Sequence, residues 1–99
     1  MTFSSLVSSL NLTFVSSMNL EGNYFVNNFK NVYAVSERFD YDSIAKSMGL
    51  VKTLDAIHET KKYNGVGFVE YKKPNQKWFD DKISLCVIFQ NGLPIAISK

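Results

Sequence analysis

His58 is the single histidine of this 99-residue chain, and it stands beside Glu59 and three positions after Asp55. On a helix that spacing lets a carboxylate orient the imidazole, which is the start of a general acid or base. A hydrolase also needs a nucleophile, and none of the eleven serines sits in a GxSxG-type elbow. One histidine, one cysteine and scattered carboxylates make no metal-ligand set, and Asp40 and Asp42 are better suited to capping a helix. Gly65 and Gly67 stand outside any glycine-rich phosphate loop. No metal or cofactor is therefore expected. The one catalytic class left is a small metal-independent ribonuclease working from Arg38, His58, Tyr71 and several lysines. It would have to stabilise a pentacovalent phosphorane with preorganised charge, and one arginine gives that task thin support. The chain reads as a non-enzyme.

A second concentration of functional side chains is Tyr71, Lys72, Lys73, Lys77, Trp78, Phe79 and Lys82, all within twelve residues. Aromatic faces between ammonium groups can stack the bases of a single strand and screen its phosphates. They can equally anchor a protein partner through Trp and Tyr inside a basic rim. Ten lysines against one arginine, Arg38, together with Asp80 and Asp81 beside the lysines, favour the protein partner. A net charge of +2 is too small for strong steering toward nucleic acid or acidic lipid.

Residues 43–59 offer a DNA-binding alternative. Their IAKSMGL stretch resembles the start of the helix-turn-helix signature, with Ala45 between two helices, Gly49 at the turn, and Ile44, Met48 and Leu50 as the apolar flanks. The resemblance covers fewer than twenty residues. It implies a winged-helix-like regulator touching DNA through Lys52 and Thr53, with Lys72, Lys73 and Lys77 on the wing. Where the family pattern has a buried aliphatic, six positions after the glycine, this chain has Asp55.

These side chains must be positioned by a scaffold, and 45% hydrophobic residues, with eight Phe and five Tyr, suffice for one modest core. Thr2 precedes Phe3, Leu6, Val7 and Leu10 at helical spacing, which predicts a short helix ending near Asn11. Leu12 and Phe14, then YFVNNF and NVYAVS, predict two or three short strands, with Asn27 and Asn28 at a bulge or turn. Ile44, Ala45, Met48, Val51, Leu54 and Ile57 describe one helical face running to about Lys61, either unbroken or divided at Gly49, and Asn64–Gly65 closes the segment. VGFVEY alternates, Pro74–Asn75 marks a turn, and ISLCVIF is apolar on both faces, like a central strand holding Cys86 as a buried hydrophobe. Asn91–Gly92 predicts a type I′ hairpin pairing Ile88 with Ile95 and Cys86 with Ile97, and Pro94 predicts that LPIAIS is an edge strand.

The expected architecture is a single α+β domain over residues 1–99: an antiparallel sheet of about four to six strands, one or two covering helices and a C-terminal β-hairpin. The first 29 residues carry one charge, Glu21, and lack both a basic leader and a membrane-length apolar run, so they are expected to be buried or to form a contact surface. The lone cysteine suits a reducing cytoplasmic setting, and no membrane partner is expected. Small size, absent chemistry and richness in Lys, Asn, Phe and Tyr suit an inhibitor, immunity or anti-defence protein of a phage or mobile element. Its expected contacts are the Tyr71–Lys82 hairpin and the C-terminal edge strand ending in Ile97, which could also pair two copies into a homodimer.

Overall fold

Thr2 and Ser5 exchange hydrogen bonds at the start of α1 (Phe3–Leu10): the Thr2 hydroxyl accepts from the Ser5 N–H at 3.1 Å, and the Ser5 hydroxyl accepts from the Thr2 N–H at 2.8 Å. Two donors of the first turn are thereby satisfied. The helix stops at Asn11, whose φ of 52° turns the chain left-handed, and it buries Phe3 and Leu6 against the sheet. Here the sequence expectation is met. The computed structural model describes residues 2–15, 32–57, 66–75 and 83–98.

The remaining elements are β1 (Thr13–Val15), β2 (Val32–Ala34), α2 (Tyr41–Ser47), β3 (Val51–Ala56), β4 (Val66–Lys72), β5 (Leu85–Gln90) and β6 (Leu93–Ser98). The strands form one sheet in the order β1-β2-β6-β5-β4-β3, every neighbour antiparallel. Six strands and two helices among the described residues confirm the α+β expectation. The stretches around Asn27–Asn28 and Asn64–Gly65 lie outside the described residues.

The helical face expected to reach Lys61 is corrected. Asp40 caps α2 by accepting from the Ser43 N–H at 3.3 Å, and Asp42 and Lys46 complement the helix dipole at its two ends. Gly49, at φ +72°, then ends the helix in the left-handed conformation, with the Leu50 N–H donating back to the Ala45 carbonyl at 3.0 Å. The next element is a strand. Val51–Ala56 pairs with β4 from Val51↔Lys72 to Ala56↔Phe68.

β5 lies inside the sheet and is buried on both faces, as its sequence suggests. Leu85, Val87 and Phe89 join Phe3, Leu6, Ala45, Leu50, Val69, Tyr71 and Ile97 in a core beneath the helices. Cys86 and Ile88 join Val32, Val66, Phe68 and Ala96 in a second core on the opposite face. Among the described residues neither helix contributes to this second core. Burial pushes the Cys86 thiol far up, so Cys86 packs as a hydrophobe and is a poor nucleophile.

Asn91 and Gly92 both have positive φ, 52° and 84°, as the expected β5–β6 turn requires. The register beyond the turn differs from expectation. Gln90↔Leu93 and Phe89↔Pro94 pair as a two-residue loop requires, but an irregularity then shifts the ladder to Ile88↔Ala96, Val87↔Ile97 and Cys86↔Ser98, in place of the expected Ile88–Ile95 and Cys86–Ile97 pairs. Pro94 has no N–H for the ladder, and the shift after it leaves the Ile95 carbonyl to accept from Val35 at 3.0 Å. β6 is also not an edge. β2 pairs along it through Tyr33↔Ile97 and Ala34↔Ala96, so β6 is an interior strand and the proposed homodimer across it has no free edge to use.

Candidate partner-binding edge

The described sheet ends in the three-residue β1 on one side and in β3 on the other, and no described strand pairs with the outer side of β3. Its geometry is set by a bulge between Lys52 and Leu54, where the ladder steps from Lys52↔Tyr71 directly to Leu54↔Glu70. Thr53 is the extra residue, and its hydroxyl donates to the Glu70 carbonyl at 3.3 Å. One inserted residue breaks the two-residue alternation of a strand. Lys52 and Asp55, three apart, therefore share the helix-side face, while Val51 and Leu54 share the other, 45% and 41% exposed.

On the helix side Lys52 is shared between two carboxylates. Its Nζ lies 3.7 Å from Asp42 Oδ1 and 3.5 Å from Asp55 Oδ2, all three side chains being well exposed. Solvent screening leaves each such pair worth less than about 1 kcal/mol. The stronger tie is beneath them: the Tyr71 hydroxyl donates to Asp42 Oδ1 at 2.6 Å, fastening the first turn of α2 to β4. Burial, and then the bond to the Asp42 carboxylate, push the Tyr71 phenol far above its usual range, so it serves as a fixed donor. Tyr71→Phe is expected to lower unfolding free energy by about 1–2 kcal/mol in urea titration, since a partly buried charged acceptor loses its donor. An unchanged midpoint would mean that the bond contributes nothing.

These placements revise the residues singled out from sequence. Tyr71 is in the core, so it anchors no partner and presents no phenol to RNA. Lys72 ends β4 half-buried and Lys73 is exposed, whereas Lys77, Trp78, Phe79 and Lys82 lie outside the described residues, as does His58. Arg38 is exposed in the turn before α2. Lys52 and Thr53 are exposed, but on an edge strand, so the second helix of a helix-turn-helix is absent where the resemblance required it. Glu70, opposite Cys86 on the second face, has its carboxyl raised by burial, an effect reduced by the neighbouring charge of Lys72.

Of the charge-poor N-terminal segment, residues 2–15 are described, and they include both buried and exposed side chains. Phe3 and Leu6 are in the core, while Phe14 is 55% exposed and packs edge-on against Tyr33 with ring centroids 5.5 Å apart. No described helix is long and apolar enough to cross a membrane, and no group of three metal-ligating side chains gathers among the described residues. No family model matches this sequence, and no similar curated protein or solved structure is found.

Proposed function

We propose that this chain is a non-enzymatic binding protein that acts by occupying a surface of a protein partner, in the manner of an inhibitor, immunity or anti-defence protein. The observation carrying this reading is the exposed β3 edge, which sets two aliphatic side chains on one face and a charged cluster on the other. An exposed strand edge with aliphatic side chains on one face and charged ones on the other offers a partner both apolar contact and polar selectivity. The titratable groups gathered nearby support it as well: Asp42, Lys52, Asp55 and Tyr71 hold one another, and the phenol is far from ready to exchange a proton.

Val51→Thr with Leu54→Thr keeps strand propensity while removing most of the apolar contact. Partner captured from extracts of the encoding organism is expected to fall roughly tenfold in affinity, since two half-exposed aliphatic side chains would no longer be buried. Circular dichroism should match the parent. Equal capture by the doubly substituted protein would remove β3 from the contact, and substrate turnover that follows the purified chain would overturn the binding reading.

A further inference from the structure

We infer that β3 receives an extended strand of its partner, added to the sheet edge, and that this strand presents a lysine or arginine toward Asp55 and Asp42. The inference rests on the binding reading above and specifies its partner. A strand laid beside β3 hydrogen-bonds to its outer backbone groups and sets alternate side chains about 5 Å from those of β3. On one face those side chains meet Val51 and Leu54, which select aliphatic or aromatic neighbours. On the other they meet Lys52 between Asp42 and Asp55, one cation shared by two carboxylates at 3.7 and 3.5 Å. The excess is one negative charge. Tyr71 uses an inner position on Asp42, while both carboxylate side chains stay about half exposed, so an incoming ammonium or guanidinium group finds them within reach.

The same count of charges speaks against a second copy as the occupant. Two β3 edges would bring four carboxylates and two ammonium groups together, doubling the excess instead of neutralising it. The Lys52/Leu54 bulge adds to this, because a bulged, charged edge resists flat pairing with its own kind. A foreign strand carrying its own cation does not meet the charge objection, and it can match the β3 bulge with an irregularity of its own.

The test uses two seven-residue peptides of alternating threonine and valine, one with a central lysine on its threonine face and one with glutamate there. The full chain is titrated with each while backbone amide NMR signals are followed. Shifts should localise to residues 51–56, and the lysine peptide should bind about five- to tenfold tighter at low salt, the advantage shrinking as salt is added. Asp55→Lys should reverse the preference without altering the fold. Equal binding of both peptides, an unchanged preference in Asp55→Lys, or shifts confined to other strands would each overturn the inference. If partner capture depends on Val51 and Leu54 while neither peptide perturbs β3, the binding reading survives and strand addition fails.

Discussion

Phe89→Ala is expected to lower the unfolding free energy by about 3–5 kcal/mol. Phe89 is 1% exposed in the core beneath the helices, and its ring meets Tyr41 of α2 edge-on with centroids 5.1 Å apart. Truncation removes the largest fully buried side chain of β5 and withdraws one of the few anchors of a seven-residue helix. Such a deletion costs about 3–5 kcal/mol where the site cannot collapse. Collapse is hindered here because Phe89 sits between Gly67 on β4 and Pro94 on β6, two strands already fixed by their ladders. A domain of this size holds about 5–15 kcal/mol in total, so a large share of the margin is lost. Urea denaturation followed by circular dichroism measures it, and a cost below about 1 kcal/mol would show that Phe89 is not the shared core between α2 and the sheet.

Gly67→Ala should be comparably severe for a different reason. A β-carbon built at Gly67 would lie 2.3 Å from the Ile57 carbonyl oxygen, 2.6 Å from that of Ala56 and 2.7 Å from the Ile57 carbonyl carbon. All three are backbone atoms at the end of β3, so no side chain can rotate away. Either the strands part or β3 loses its last pairs, and overpacking against backbone should cost about 3 kcal/mol or more. Because the clash is at the root of β3, hydrogen exchange should quicken in residues 51–57 before the rest of the sheet is affected. Partner binding should fall with it. Native-like protection of β3 in this variant would show that β3 and β4 are less closely apposed than the structure has them.

The same strand explains what the sequence conceals. Ile44, Ala45, Met48, Val51, Leu54 and Ile57 show a three-and-four spacing, the accepted mark of a helical face. A β-bulge yields the same spacing, since the extra Thr53 carries Val51 and Leu54 to one face of a strand although they are three apart. Gly49 was legible as a break, but whether a helix or a strand comes after it depends on β4 being there to pair. Local signals fared better: the Thr2–Ser5 cap, the Asn91–Gly92 turn and the doubly apolar β5 could all be read from a few adjacent residues. β6 was misplaced because its second neighbour, β2, is three residues long and comes from about sixty positions earlier. Tyr71 was misplaced for a related reason: its hydrogen-bond partner, Asp42, is 29 positions away.

The interior position of β6 governs how this protein can be made. During synthesis α1, β1 and β2 emerge first among the described elements, yet in the described sheet β2 is joined to the other strands through β6, the last of them in chain order. Until β6 has emerged, β2 lacks the strand that it pairs with in the described sheet, although α1 can already pack Phe3 and Leu6 against α2, β4 and β5. β2 and β6 must therefore find each other after translation has passed that point, in a slow closing step of long sequence separation. An excess of chaperone at that moment should raise the yield of native protein.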